Sequence, residues 1–190
     1  MIELAGGETR TWPELAIGRP YGIINANQVE TLAKVVRANM DPFMLAAIEE
    51  AKLGLAEGGI PIGAVIVYHG RIIGRGHNRR VQRGSAILHG EMDAFENAGR
   101  QPASVYRESV LYTTLSPCAM CSGAILLYGI PKIVVGENRT FTGEEELLRS
   151  RGVQVDVLQD ATCVALMGSF IASRPELWSE DIGVVDGSRL

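Results

Sequence analysis

The amino-acid sequence predicts a three-layer α/β/α fold, in which helices cover both faces of a mixed five-stranded sheet. Three observations lead to this prediction. Runs of β-branched residues alternate with amphipathic segments of helical period over residues 41–172. His69-Gly70 separates two of these runs as the turn of a hairpin would. A helical segment between the last two runs indicates that strands four and five are parallel.

Local signals place the individual elements. Asp41 can cap a first helix that Pro42 opens and Gly58-Gly59 ends. Ser116, as the cap before Pro117, is expected to start a later helix, and Asp160 a last one. The expected strands are 62–68, 71–76, 109–114, 132–136 and 153–158, and the other expected helices are 89–98 and 143–150.

Composition limits the class of protein. Of the 190 residues, 46% are hydrophobic and 21% are charged, which is ordinary for a globular domain. Because no apolar stretch approaches about 18 residues and the first residues lack a signal-peptide pattern, we expect a cytoplasmic protein without a membrane segment. The three cysteines fit a reducing compartment, since two share one motif and Cys163 has no partner.

The overall charge argues against nucleic acid as a partner. The formal net charge is −4, whereas nucleic-acid-binding domains usually carry a basic stripe. A local basic cluster is interpreted as a solvated rim; it consists of Arg75, Arg79, Arg80 and Arg83. A small neutral substrate suits this balance better than a polyphosphate.

Two short motifs predict a catalytic zinc site. His89-Gly90-Glu91 supplies one imidazole, and Pro117-Cys118-Ala119-Met120-Cys121 supplies two thiolates. Three protein ligands leave the fourth tetrahedral position of zinc open for water, whereas a structural site would normally close it. Glu91 lies two residues from the histidine, too close to fold back easily onto the same metal, and is placed to exchange protons with that water. The pattern therefore predicts hydrolytic deamination, with Glu91 as general acid and base.

Several residues in and around these motifs allow other interpretations. The C-x-x-C pair could be a redox motif, but the preceding proline and the distant H-x-E motif disfavour it. Cys163 could close the zinc site, although its apolar neighbours favour core packing. We expect His69 to be exposed and His77 to be structural, and we interpret residues 144–146 as a solvated acidic helix face.

Longer stretches extend the pattern into a family resemblance. They are Gly74-Arg-Gly-His-Asn78, Gly84 to Glu91, Leu111 to Cys121, Tyr128-Gly-Ile-Pro131, Val134 to Asn138 and Arg174 to Gly183. Together they resemble the yeast-type cytosine deaminases of the zinc-dependent cytidine and deoxycytidylate deaminase superfamily. The resemblance implies a cytidine-deaminase-like fold, one Zn²⁺ per chain and a homodimer. The resemblance covers residues 41–183, which would form the deaminase domain with a C-terminal lid. Residues 1–40, an N-terminal extension, and residues 184–190, a tail, lie outside it. Within the extension, the spacing of Val29, Leu32, Val36 and Met40 predicts a short helix at 28–40.

The resemblance also implies roles for residues around the substrate. Trp178 would close over a free base, and Asp181 would accept a hydrogen bond from its amine. Asn78 would bind the base carbonyl, the Gly90 backbone amide would contact the base, and the Ser116 backbone carbonyl would accept from it. Ile62 and Phe141 would line the pocket.

The H-x-E and P-C-x-x-C motifs fix the reaction more firmly than the substrate. Cytosine, converted to uracil and ammonia in pyrimidine salvage, is the substrate that the C-terminal segment favours. Another small amino-heterocycle, such as guanine, a methylcytosine or a triazine, is an alternative. Adenosine in tRNA is disfavoured by the acidity of the chain and by Trp178 and Asp181. A zinc-stabilised binding module without catalysis is a further alternative.

Overall fold

The computed structural model describes residues 41–185 and the short strands Ile2–Glu3, Thr9–Arg10 and Ser188–Arg189. The chain divides into two compact units, Met1–Asn39 and Met40–Leu190. In the first unit, Ile2–Glu3 pairs antiparallel with Thr9–Arg10. The helix predicted at residues 28–40 lies outside the described residues.

The second unit is built on a five-stranded sheet. Its strands are β1 (Gly63–Tyr68), β2 (Arg71–His77), β3 (Ser109–Leu115), β4 (Lys132–Glu137) and β5 (Gln154–Val157). Their order is β2-β1-β3-β4-β5. β1 is antiparallel to β2 and β3, whereas β3 with β4 and β4 with β5 are parallel. The sheet is therefore mixed, and the prediction that strands four and five are parallel is confirmed.

The helices alternate with these strands along the chain. They are α1 (Pro42–Ala56), α2 (Arg80–Arg83), α3 (Gly90–Ala98), α4 (Ala103–Arg107), α5 (Ala119–Tyr128), α6 (Glu145–Ser150), α7 (Ala161–Ser173) and α8 (Pro175–Asp181). A short antiparallel pair, Val184–Val185 with Ser188–Arg189, follows α8. Among the described residues, no helix combines the length and the apolar character that crossing a bilayer requires.

Period-two alternation along the strands creates two separate cores. Ala64 and Ile66 of β1 pack with α3 and α5 on one face of the sheet. Val65 and Val67 pack on the other face with α1, to which α7 adds Cys163. Helices thus cover both faces, and the predicted three-layer α/β/α architecture is confirmed.

Two glycines let the helices approach the sheet closely. A Cβ atom on Gly63 of β1 would lie 2.1 Å from the carbonyl oxygen of Ala47 in α1. A Cβ atom on Gly76 of β2 would lie 2.5 Å from the backbone nitrogen of Ala94 in α3. A side chain at either position would displace backbone atoms. The second contact matters for function because it fixes α3, which begins beside His89 and Glu91.

Two of the predicted helix caps are confirmed and one is wrong. Asp41 accepts from the Phe43 backbone nitrogen at 2.9 Å, and the Asp160 side chain caps α7. Ser116 does not cap α5, which begins at Ala119 with Cys118 as its cap residue. The Ser116 hydroxyl instead accepts from the Gly143 nitrogen and donates to Glu145. It is therefore already committed to another segment.

Candidate active site

The predicted metal ligands lie at the starts of two neighbouring helices. His89 is the cap residue of α3, and Cys118 is the cap residue of α5. Cys121 lies in the first turn of α5, on the same side as Cys118. Because the backbone N–H groups at a helix start favour negative charge, this location stabilises the thiolate form that binds metals.

The spacing of the three ligand atoms fits a tetrahedral zinc ion. The Nδ1 atom of His89 lies 3.5 Å from the Cys118 sulfur and 3.8 Å from the Cys121 sulfur. A tetrahedral ion with zinc–sulfur bonds near 2.3 Å and zinc–nitrogen bonds near 2.0 Å would set these separations at about 3.5 Å. All three ligand atoms lie within 4.8 Å of one another. One imidazole and two thiolates are thus placed to share one ion.

Cys163, His69 and His77 do not fill the fourth coordination position, which the sequence predicts to be open for water. Among the described residues, the metal-binding group consists of His89, Cys118 and Cys121 alone. Cys163 is buried against β4, where a Cβ on Gly136 would meet its sulfur at 2.5 Å. His69 is exposed in the hairpin turn beside Glu108, and the buried His77 contacts Glu50 and Glu57. The predictions for these three residues are confirmed.

Glu91 is buried beside the metal ligands. Its side chain accepts a hydrogen bond from the Thr113 hydroxyl of β3 at 3.0 Å, which engages Oε1. The other oxygen, Oε2, lies 3.4 Å from the Cys121 sulfur. The threonine contact holds the carboxylate in place and leaves Oε2 facing the metal group. Thr113 itself was not singled out from the sequence, because nothing in a buried strand marks one hydroxyl as functional.

The electrostatics of the cluster suit metal binding and proton transfer. A hydrogen bond from Cys121 lowers the pKa of the Cys118 thiol to about 4, aided by His89. The same hydrogen bond and burial raise the pKa of Cys121. Burial also raises the pKa of Glu91, and the charge of Cys118 adds to the effect. For His89, burial lowers the pKa, but the hydrogen bond to Cys118 and nearby acids outweigh it and raise the net value.

A cavity of about 570 Å³ opens onto the ligands and Glu91. This volume is typical of sites for small molecules. Of the residues predicted to contact substrate, five line it: Ile62, Ser116, Phe141, Trp178 and Asp181. The structure therefore brings together residues that are up to 119 positions apart in the chain, since Ile62 and Asp181 share one wall.

The C-terminal helix α8 forms one side of this cavity. The Trp178 ring packs edge-on against Phe141, with ring centroids 5.7 Å apart. Trp178 also belongs to a small apolar cluster with Ile62 and Leu115. Asp181, at the end of the same helix, has a side chain that is only 2% exposed. Helix α8 thus brings one apolar and one acidic side chain to the cavity.

Asn78 and Gly90 are not among the residues that line the cavity. Asn78 is fully buried, and its Nδ2 donates to both carboxylate oxygens of Asp181, at 3.2 and 3.1 Å. Gly90 is the first residue of α3, where a Cβ would lie 2.9 Å from the Ile62 carbonyl oxygen. Their predicted contacts with substrate stay predictions.

The acidic run at residues 144–146 was misinterpreted. Glu144 and Glu146 are exposed as expected, but Glu145 is only 4% exposed. Its Oε1 accepts from the Ser116 hydroxyl at 2.9 Å and from Asn138 Nδ2 at 3.0 Å. Glu145 is thus a buried support for the segment that precedes Cys118. Sequence spacing gave no signal for this contact, because it joins residues 29 positions apart.

The basic cluster is not a simple solvated rim. Arg75 is paired with Glu50, Arg79 with Asp93 and Arg80 with Asp181. Arg83 is exposed as expected. Arg80 lines the cavity. The prediction was therefore wrong for Arg80, whose partner lies 101 residues away.

Comparison with known sequences assigns the family. The model of one protein family, described as "Cytidine and deoxycytidylate deaminase zinc-binding region", matches residues 38–137. This range includes both metal motifs and all three ligands. The chain belongs to the cytidine and deoxycytidylate deaminase family. It is therefore a zinc-dependent hydrolytic deaminase, and the redox and non-catalytic interpretations are set aside.

The relatives of this deaminase are named for different substrates. A cytosine deaminase of Candida albicans is 54% identical over 138 residues, covering 72% of this chain and 92% of that protein. A tRNA-specific adenosine deaminase of Streptococcus pyogenes is 40% identical over 139 residues, covering 67% and 87%. The crystal structure of a guanine deaminase from Nitrosomonas europaea aligns with a TM-score of 0.54 at 25% identity, over 68% of this chain and 83% of that one. All three are named deaminases.

Proposed function

We propose that this deaminase converts free cytosine and water to uracil and ammonia, as a step of pyrimidine salvage in the cytoplasm. The observation that carries the proposal is Asp181, a second buried carboxylate in the cavity that holds Glu91 and the metal group. A carboxylate at that position can accept from the exocyclic amine that the reaction removes. The identity of 54% to a protein named cytosine deaminase supports the choice of base.

Zinc held by His89, Cys118 and Cys121 would supply a Lewis acid that activates water near neutral pH. Glu91 carries the protons. The reaction replaces the amine on C4 by the oxygen of water, so one water proton must reach ring atom N3 and the other must reach the departing amine. Oε2 of Glu91 would accept and deliver both in turn, while Thr113 holds Oε1.

The other side chains of the cavity would orient the base. Ile62, Phe141 and Trp178 provide apolar surface for the pyrimidine ring. Asn78 has two hydrogens on Nδ2, which contacts both oxygens of Asp181 in the structure, so with substrate bound it would keep one hydrogen on Oδ1 and offer the other to the base carbonyl. The Gly90 backbone N–H and the Ser116 backbone carbonyl would complete the polar contacts. Each polar group left unpaired there would cost about 1 to 3 kcal/mol.

A lid formed by α8 would also set the size of the substrate. Trp178 and Asp181 stand over the cavity, and Glu180 and Gly183 line its rim. A closed lid admits a free base and excludes a nucleoside or a polynucleotide. We therefore propose no nucleic-acid partner. In this proposal, residues 41–183 form the deaminase domain with its lid, residues 1–40 an N-terminal extension and residues 184–190 a tail.

The active protein is proposed to be a homodimer. Exposed apolar side chains on the described surface support a subunit contact, in particular Leu127 at 79% exposed, Tyr128 and Leu147. Sedimentation of the zinc-loaded chain would give a mass of two chains. A single-chain mass at working concentration would refute the dimer.

A panel of free bases tests the substrate. Zinc content is measured first, and ammonia release is then followed with cytosine, methylcytosine, guanine and a tRNA stem-loop. Cytosine is expected to be the best substrate. A zinc-loaded protein that deaminates guanine or tRNA adenosine and leaves cytosine intact would contradict the proposal.

Glu91→Ala tests the proton carrier. The variant should keep its zinc and lose turnover by about a hundredfold to ten-thousandfold, the usual contribution of a general acid and base. Glu96→Ala is the matched control, because Glu96 lies on the same helix and is exposed. Equal turnover in Glu91→Ala and the control would remove Glu91 from the mechanism.

A further inference from the structure

Arg80 makes a contact with the lid that the proposed function does not use. Its Nη1 atom donates to Asp181 Oδ1 at 2.7 Å, and its Nη2 atom lies 3.4 Å from Glu180 Oε1. Both acids belong to α8. Nε is buried and without a hydrogen-bond partner among the described residues. All described hydrogen bonds of the guanidinium therefore go to the lid helix.

The backbone of Arg80 is fixed at the start of α2. Its backbone nitrogen donates to Asn78 Oδ1 at 3.1 Å, at the point where α2 begins. Its side chain is only 18% exposed, and that of Asp181 is 2% exposed. An ion pair that water reaches so little is worth more than a surface pair, and a buried carboxylate without a cation would be costly.

The two carboxylate oxygens of Asp181 have different hydrogen-bond partners. Oδ1 receives Arg80 Nη1 at 2.7 Å and Asn78 Nδ2 at 3.2 Å, and it lies 3.8 Å from His89 Nε2. Among the described residues, Oδ2 receives only Asn78 Nδ2, at 3.1 Å. Each carboxylate oxygen can accept about two hydrogen bonds. Oδ1 is therefore saturated, whereas Oδ2 keeps capacity for one more donor.

Arg80 and Asp181 also help to separate two neighbouring cavities. A second cavity of about 310 Å³ lies beside the first. Arg80 and Asp181 line both cavities, together with Ala86 and Glu180. Shortening the arginine would open one cavity into the other and let water reach the carboxylate.

We propose that Arg80 is a positioning residue. It occupies Oδ1 of Asp181, so that Oδ2 stays available for the amino group of the substrate. Through the same contact, Arg80 holds α8 over the cavity. This proposal rests on the proposed function for the identity of the amine. Arg80 itself need not touch the substrate. Its removal should therefore affect ligands with an amine more than ligands without one.

The first experiment compares two ligands in the zinc-loaded enzyme. Arg80→Met removes the donors and keeps most of the side-chain volume, and Arg80→Lys keeps the charge. Arg83→Met is the control, because Arg83 lies on the same short helix and is exposed. Arg80→Met should lower kcat/KM for cytosine by about tenfold to a hundredfold. The inhibition constant of 2-pyrimidinone, which lacks the amine, should change by less than about threefold.

A double-mutant cycle identifies the group through which Arg80 acts. In an Asp181→Asn background, Arg80→Met should have little further effect on kcat/KM, because the carboxylate is already gone. Arg80→Lys should recover part of the lost activity. The proposal is overturned if the two substitutions act independently, or if cytosine and 2-pyrimidinone lose the same factor. If Arg80→Met does not fold, Arg80→Lys serves for the same comparison.

A second experiment does not depend on the substrate. The chain has two tryptophans, so a Trp12→Phe background leaves the fluorescence of Trp178 as a probe of the lid. Acrylamide should quench Trp178 more strongly in Arg80→Met than in Arg83→Met. Equal quenching would refute the lid contact. If the parent enzyme proves inactive on cytosine, the proposed function fails while this measurement still tests Arg80.

Discussion

Glu145→Gln is the substitution that best tests how the metal-binding segment is supported. Glu145 Oε1 receives two donors, the buried Ser116 hydroxyl and the part-buried Asn138 Nδ2. Its Oε2 receives Arg149 Nη2 at 3.1 Å, but the Arg149 side chain is 46% exposed. Glutamine keeps one acceptor oxygen and has no charge. The variant therefore converts two charge-assisted hydrogen bonds into neutral ones with almost no change of shape.

The size of the effect follows from these contacts. A charged hydrogen bond is worth about twice a neutral one, so each of these two bonds loses about 1 kcal/mol. The exposed pair with Arg149 adds less than about 1 kcal/mol, because solvent screens it. The expected loss is about 2 kcal/mol. For a chain of this size, that corresponds to a fall in Tm of about 4 to 8 °C.

The consequence should extend to the active site. The Ser116 hydroxyl accepts from the Gly143 nitrogen at 3.0 Å, and the Pro117 carbonyl accepts from the Glu144 nitrogen at 3.0 Å. Both bonds join the segment before Cys118 to the loop that carries Phe141. Loosening Ser116 should therefore lower kcat/KM as well as Tm.

Thermal unfolding of the zinc-loaded protein and cytosine kinetics are measured together. Glu146→Gln is the control, since it removes the same charge from an exposed neighbour. The control should match the parent protein within about 1 °C. If Glu145→Gln also matched it, the two hydrogen bonds would have no energetic role and the argument would fail.

Three further predictions concern stability and metal content. Gly63→Ala should lower the free energy of unfolding by more than about 3 kcal/mol or prevent folding, since its Cβ would meet a backbone oxygen of α1 at 2.1 Å. Gly123→Ala should raise that free energy by about 0.5 to 1 kcal/mol, because its Cβ would meet nothing within 4 Å. Thermal melts would show both effects. The hydrogen bond to His77 lowers the pKa of Glu57 below its usual value of 4.5. The stabilisation from this bond is therefore complete above pH 4.5 and is lost as the pH falls through the lower pKa of the folded protein. The Tm difference between the parent and Glu57→Gln should vanish at acid pH, and a constant difference would contradict this. Cys163→Ala should keep one zinc per chain, and loss of the metal would make that cysteine a ligand.

The sheet and the metal group could be predicted because their signals are local. Each strand alternates residues for two cores, and that alternation is visible in a few consecutive letters, as in Ala64 to Val67. The ligands His89, Cys118 and Cys121 are marked by motif and by the helix starts that follow them. The short helices α2 and α4 were missed because four or five residues are too few to display a helical period.

The roles of Arg80 and Glu145 could not be predicted for the opposite reason. Each is defined by a partner far along the chain, and no local pattern distinguishes it from its neighbours. Arg79, Arg80 and Arg83 look alike in sequence, yet one pairs with α3, one with the lid and one is exposed. The misplaced start of α5 has the same cause, because the partners of Ser116 lie in a later loop and helix.

In the proposed function, the residues that perform the reaction and those that select the base lie on different elements. His89, Glu91, Cys118 and Cys121 lie at helix starts that pack against the sheet, and Glu91 is bonded to β3. Trp178 and Asp181 belong instead to a seven-residue terminal helix. Its polar attachment includes the Arg80 pair and the Asn78 contacts to Asp181. In the proposed function, a change of substrate would therefore require changes mainly in α8 and the residues that position it.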